Sequence, residues 1–280
     1  MLDWMDDARV TDLLDDADVL LLAVTAGGAP HVTPVVFDRD DHEVWAVAPR
    51  RSVKVRAIAD DHRVGALVRH GDRALMLGCR ARLVDPLTGR GLGKLPAPHR
   101  LPSAAVGFLT RNDRRISQVV RDHPAPTLAL SRVAIRLQVC RVALVEGHEV
   151  VATWGRWPAP SAFLAGDLPP CPAELGAVPA GLRPLLDEPR DDAVLGWHSA
   201  LGAVALPARW DPVGVARVPT AAMSLAGGLV AGPACLTAES YLRSGRTVRG
   251  VMLRGAGRAR ADGATTSVTV AATRAVWWTA

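Results

Sequence analysis

Between Val47 and Val68 the chain reads VAPRRSVKVRAIADDHRVGALV, with Arg50, Arg51, Lys54 and Arg56 gathered around Ser52. A cluster of this type is either a solvated turn or a place where positive charge holds an anion. Holding a phosphate takes charge together with directed donors. Ser52 supplies a hydroxyl, and it is a good N-cap for a short helix over 52–59, where Val55, Ile58 and Ala59 share a face. The start of such a helix adds free N–H groups and the positive end of the helix dipole. Lys54, with Arg50 or Arg51, adds the charge, and Arg56 is expected to face outward.

No other stretch carries recognisable chemistry. The sequence has no GxSxG, no HExxH and no metal-ligand spacing, so no metal is expected. His31, His42, His62, His70, His99, His123, His148 and His198 are scattered. His31 is a lone histidine near a turn, read either as a surface residue or as a ligand contact. Cys79, Cys140, Cys171 and Cys235 are far apart with no CxxC, which marks them as structural thiols. Six tryptophans (Trp154, Trp157, Trp197, Trp210, Trp277 and Trp278) could stack on a planar ring or pack in cores and barrel interfaces.

The elements that position the cationic cluster are short strands. Leu2, Met5, Val10, Leu13 and Leu14 form one face of an acidic opening helix. VLLLAVTAGGAPHVTPVVFDRDDHEVWAVA then reads as three strands, with turns at Gly27-Gly28 and Asp38 to Asp41. VGALVRHGDRALMLGCRARLV gives two more around a His70-Gly71-Asp72 turn. A helix is expected over 112–122, and two further strands end near Trp157. From 158 to 196 the texture is rich in Pro and Gly and reads as a linker, with a short helix over 180–186.

The 280 residues are 49% hydrophobic and 22% charged, a composition that fits a folded globular chain of one or two domains. The net charge is +5, but residues 1–18 alone hold about −6, leaving the remainder near +11. That suits an anionic ligand. Nucleic acid is not expected, because no basic patch is interleaved with aromatics. The start has no basic segment, and its longest apolar stretch, Val19 to Val24, is far too short to cross a membrane. A soluble cytoplasmic protein without membrane partners is expected.

The last part echoes the first. RALMLGCRAR at Arg73 resembles RGVMLRGAGRAR at Arg249, which carries two extra residues, and VAIRLQVCRVALV at Val133 resembles VTVAATRAVWW at Val268. GAVALPARWDPVGVARVP at Gly202 is matched to the first two strands. These similarities read as an internal repeat, the alternative being chance likeness among Val- and Arg-rich strands. In the second copy GPACLTAESYLRSG stands where the first has its cationic turn and helix, so a ligand site is expected in the first copy alone.

Taken together, the acidic first helix, LAVTAGGAPHVTPVVF, RRSVKVRAIADDHRVGAL and GDRALMLGCRARLV resemble the pyridoxamine 5′-phosphate oxidase-like superfamily of flavin-binding split β-barrels. The resemblance covers residues 1–157 well and 197–280 weakly. It implies a mainly β fold with short helices, built as two tandem antiparallel split barrels of Greek-key type. Residues 1–157 would form the first barrel, 158–196 the linker and 197–280 a degenerate second barrel. In this family two barrels pack as a dimer with the cofactor in the groove between them. The chain is therefore expected to be a monomeric pseudo-dimer, or a homodimer, with one cofactor site per chain.

The resemblance also implies site residues. Ser52 and Lys54 match the family's phosphate-binding serine and lysine. Val53 stands where the family has an arginine, and Arg50 or Arg51 is the candidate to replace it. Thr33, Pro34, Val35 and Val36 match positions whose backbone and side chains line the flavin ring. The implied activity is an FMN- or F420-dependent oxidoreductase that moves hydride to or from a small organic substrate. Such cofactors carry the redox chemistry themselves, so a missing catalytic triad does not argue against an enzyme. The alternative is a non-catalytic flavin- or haem-binding split barrel, with His31, His70 or His198 as axial ligand of a haem.

Overall fold

The computed structural model describes residues 3–17, 19–40, 43–85, 88, 131–158, 178–212, 214–227, 231–241 and 248–279. The helix expected over 112–122 lies outside these residues, as does Cys171. A short 3-10 turn leads into helix α1 (Ala8–Asp16), capped by Asp7, whose side chain accepts the Arg9 N–H. Strands β1 (Leu20–Ala26), β2 (Ala29–Val35), β3 (Phe37–Asp40) and β4 (Glu43–Pro49) follow. Then come α2 (Val53–Asp60), β5 (Arg63–His70), β6 (Arg73–Val84), β7 (Arg132–Glu146) and β8 (Glu149–Gly155). These strands make one curled antiparallel sheet in the order β2-β1-β5-β6-β7-β4-β3, with β8 beside β7.

The second unit opens with a 3-10 turn over Ala180–Leu182 and the short helix α3 (Pro184–Asp187), in the stretch where a helix was expected. It continues through β9 (Arg190–Ser199), β10 (Gly202–Asp211) and β11 (Val215–Pro219). Helix α4 (Thr220–Leu225), β12 (Ala231–Tyr241), β13 (Val248–Asp262) and β14 (Thr265–Thr279) complete it. Six strands close into a barrel in the order β10-β9-β12-β13-β14-β11. The chain is thus a mainly antiparallel β protein built from two tandem barrel-like units.

The two units follow one strand order. Reading β2-β1-β5-β6-β7-β4 in the first against β10-β9-β12-β13-β14-β11 in the second pairs six strands of each unit, with β3 and β8 of the first left over. The registers agree as well. Across the first sheet, Ala23 pairs with Gly65, Gly65 with Gly78 and Gly78 with Arg141. Across the second, Gly196 pairs with Cys235, Cys235 with Arg254 and Arg254 with Arg274. Each ladder has a register shift at the same place, after Gly78 in one and after Arg254 in the other.

This ladder corrects parts of the sequence alignment. The counterpart of β1 is β9, which begins at Arg190 inside the stretch read as linker, its start masked by polar Arg190-Asp191-Asp192. The segment at Gly202 supplies counterparts of β2 and β4, not of the first two strands. GPACLTAESYLRSG falls largely in β12. The counterpart of α2 is α4, which the sequence reading missed because Pro219 precedes it and no side chain caps it. The second copy therefore keeps the helix and lacks the cations.

Burial explains why these strands read as continuous apolar runs rather than alternating ones. In β1, Leu20, Leu22 and Val24 enter the core of the first unit, while Leu21 and Ala23 face the second. In β6, Leu75 and Leu77 enter the first core, and Ala74 and Met76 join the second. The contact between units is reciprocal. Strand β2 packs against β9, β12 and β13, and its counterpart β10 packs against β1, β5 and β6. At its closest, a Cβ on Gly65 would meet the backbone Ala203 oxygen at 2.6 Å, so only glycine lets β5 and β10 approach so closely.

Candidate functional site at the barrel interface

Helix α2 forms as its sequence dictates. Ser52 is its N-cap, in extended backbone, with Oγ accepting the Val55 N–H at 3.4 Å. Val55, Ala57 and Ile58 bury the inner face, whereas Ala59 is exposed. This orientation turns Lys54 toward β2. Its Nζ donates to Thr33 Oγ1 at 2.6 Å, joining two residues twenty-one positions apart. The side chains of Ser52 and Lys54 remain half-buried and so reachable from solvent. Burial lowers the Lys54 ammonium to about 8, against the attraction of Glu239 on β12 of the second unit.

The other cations of the cluster go elsewhere. Arg50 forms a two-pronged ion pair with Asp85, through Nη1 to Oδ2 and through Nη2 to Oδ1 at 2.9 Å. Its guanidinium is therefore engaged with Asp85 and the Arg132 carbonyl rather than with Lys54 or Thr33. Arg51 and Arg56 are exposed, as is Val53 at 37%.

Strand β2 meets the second unit. His31 is buried, 7% exposed, rather than at the surface, and its Nδ1 has no partner among the described residues. Burial first, then the charges of Lys54, Arg254 and Arg274, lower His31 to about 4, so its imidazole is neutral near pH 7. Three cations from both units thus share one neighbourhood with it. Arg254 Nε donates to Pro30 O at 3.0 Å, and Nη2 donates to Ala26 O at 2.6 Å and Ala29 O at 3.1 Å. A guanidinium of the second unit thereby clamps the β1–β2 turn.

The donor set fits an anionic group at the start of α2: the Lys54 ammonium, the Ser52 hydroxyl and the first helix N–H groups. The fit to a planar ring along β2 is narrower than the sequence implies. The Val32 N–H reaches Met252 Sδ at 3.3 Å, and Val32 O accepts from Thr237 Oγ1 at 3.0 Å, so the second unit already covers that part of the edge. The Val35 side chain is in the first core and cannot line a groove. The Thr33 hydroxyl is engaged with Lys54. Pro34 and Val36 stay half-buried and are what remains of the expected ring wall.

The tryptophans are mainly structural. Trp197 is fully buried in the second core, and Trp210 Nε1 donates to Leu186 O at 2.7 Å, tying α3 to β10. Trp157 lies under Arg141, 5.6 Å from guanidinium carbon to ring centroid. Trp277 is 45% exposed. Burial raises the thiols of Cys79 and Cys235, the latter to about 12, which leaves both inert. Among the described residues no group of His, Cys, Asp and Glu has the arrangement of a metal site, and no helix is long and apolar enough to cross a membrane.

Sequence reasoning missed Glu239, Arg254 and Arg274. A signal existed for Arg254: it stands in MLRG where the first copy has MLG, one of the extra residues of the second copy.

Neither a family model nor a curated protein sequence matches the chain. Solved structures resemble about half of it. An FAD-binding protein from Mesorhizobium loti is 19% identical over 49% of this chain and 93% of its own, with a TM-score of 0.36. A conserved hypothetical protein from Mycobacterium tuberculosis is 20% identical over 50% of this chain and 84% of its own, with a TM-score of 0.37. A Clostridium acetobutylicum protein related to general stress protein 26, of the pyridoxinephosphate oxidase family, is 8% identical over 52% and 90%, with a TM-score of 0.38. What the site can hold rests on its own geometry.

Proposed function

We propose that the chain is a flavin-type split-barrel oxidoreductase that holds FMN, or the deazaflavin F420, with its phosphate at Ser52 and Lys54. The observation that carries this reading is the Lys54 ammonium, fixed on Thr33 at the meeting of the two units. A cation kept where burial opposes its charge has a use for that charge. The resemblance of the α2 segment to the family's phosphate-binding serine and lysine points the same way. Such a cofactor supplies hydride transfer when bound. The chain's own part is to bind the phosphate and to exclude water with the second unit, which acts as the facing half of a pseudo-dimer within one chain. Its substrate is a small organic molecule.

The test compares FMN with riboflavin, which lacks the phosphate. The wild-type protein should bind FMN at least ~10-fold more tightly, the scale of one charge-assisted hydrogen bond. Lys54→Ala should abolish that preference and leave riboflavin affinity unchanged. Equal affinity of the wild type for both, or an unchanged preference in Lys54→Ala, refutes the phosphate assignment. The same titration with F420 separates the two cofactors by their spectra. A Soret band after haem addition, lost on changing His31, would replace this reading with the non-catalytic haem-binding one.

A further inference from the structure

Beside the clamped β1–β2 turn lies an open cavity of ≈ 300 Å³, lined by Gly27 and Ala29 of the first unit and by Arg254, Thr273 and Arg274 of the second. Among the described residues no carboxylate lines it. Its two arginines are paired across β13 and β14, at the register shift that follows Arg254. Shifts of this type re-aim side chains and recur beside ligand sites.

The matched place in the first unit is filled by its own side chains. There the counterpart of Arg254 is Gly78 and the counterpart of Arg274 is Arg141. The Arg141 guanidinium fills the space over Gly78, with Nε 2.6 Å from where a Cβ would be, and stacks on Trp157. That side is closed by its own side chains. In the second unit an arginine replaces the glycine, so Arg274 has no such bed. Arg254 turns to the carbonyls of Ala26, Ala29 and Pro30. Arg274 is left exposed on the cavity, with no hydrogen-bond or ion-pair partner among the described residues.

We propose that this cavity binds a carboxylate-bearing small molecule, with Arg254 as the fixed cation and Arg274 as the one that closes on the ligand. Glycine at position 27 and alanine at 29 leave the turn without bulk, so the ligand can reach both guanidinium groups. A planar guanidinium fork matches a carboxylate two-pronged. The Thr273 hydroxyl lies at the rim and donates to Arg254 O at 3.4 Å, tying the two arginine-bearing strands together there. Its lining residues are not those of the phosphate site at Ser52 and Lys54, and the proposal does not depend on the cofactor assignment. The carboxylate can belong to a substrate or to an acidic tail of a larger ligand, and the two arms below separate these sources.

The experiment is calorimetric titration of the full chain, free of flavin, with glutarate, with citrate and with a short γ-linked glutamate peptide, each against its neutral amide. Saturable binding of the acids and none of the amides is expected. Arg274→Ala should weaken the acids by about tenfold or more, and Arg274→Lys should restore part of the loss. Glutarate or citrate binding more tightly than the peptide identifies a small-acid substrate; the reverse identifies a tail. Equal binding of acids and amides, or affinity unaltered in Arg274→Ala, overturns the proposal. A folded Arg274→Ala is expected because the side chain is exposed, and its unfolding midpoint checks this.

Discussion

Replacing Lys54 with methionine should make the protein more stable at neutral pH and should do so by an amount that depends on pH. The Lys54 ammonium titrates near 8 in the folded chain against 10.5 for the ordinary side chain. Each unit of such a difference corresponds to ~1.4 kcal/mol, so holding the charge costs about 3 kcal/mol. The sign follows from proton counting. Below pH 8 both folded and unfolded chains carry the proton, and the full penalty is present. Between about 8 and 10.5 the folded chain has released the proton while the unfolded chain retains it, so stability rises with pH and the penalty disappears. Lys54→Met removes the charge but also loses the bond to Thr33, worth roughly 1 kcal/mol. The variant should therefore exceed the wild type by about 2 kcal/mol at pH 7, and fall level with it or slightly below it by pH 10.5. Urea unfolding of both proteins across this range, read as a difference, cancels the titration of all other groups. A variant that is less stable at pH 7, or a difference that does not change with pH, refutes the reasoning. If the charge is kept for a phosphate, FMN should stabilise the wild type and not the variant.

The remaining predictions concern the interface. His31 titrates near 4 in the folded chain against an ordinary 6.5, so its contribution is intact above pH 6.5 and is lost as pH falls through 4. His31→Gln should flatten the loss of stability between pH 6.5 and 4 relative to the wild type, measured by urea midpoints, and a parallel loss in both proteins would contradict the burial of a neutral imidazole. Gly65→Ala brings a Cβ to 2.6 Å from Ala203 O and 2.8 Å from Val204 Cα, both backbone atoms. It should destabilise the protein by about 1–3 kcal/mol, since β10 can yield only by shifting the second unit. An unfolding midpoint equal to the wild type would show that the two units are not packed through this contact.

Much of the strand content was legible because turn residues punctuate it: Gly27-Gly28, Gly71 and Gly147 each carry a positive φ at a hairpin. Helix α2 was legible for the same local reason, a serine cap before an apolar face. What failed were elements whose signal lies in tertiary contact. β9 starts with exposed polar residues and declares itself only where Val194, Leu195 and Trp197 enter the core. Helix α4 has no capping side chain and is held by the packing of Ala222 and Met223. The cationic cluster was legible as charge but not as partnership. Nothing local assigns Arg50 to Asp85, thirty-five residues away, or brings Arg254 to a turn more than two hundred residues before it.

The two copies diverge at their shared interface in a way that one physical requirement explains. Where β2 carries Thr33, its counterpart by the hairpin register is Leu206, fully buried. Where α2 carries Lys54, α4 has only small and apolar side chains and Thr220. An apolar counterpart is the stable solution for strands packed face to face, because a buried cation costs several kcal/mol unless paired. The second unit took that solution around α4, while its own cations, Arg254 and Arg274, moved to the turn of the first unit. Cations of both units, Lys54, Arg254 and Arg274, therefore gather around His31 at the contact between the units. If those groups hold the ligands proposed above, that asymmetry gives the chain one binding face rather than two equivalent ones.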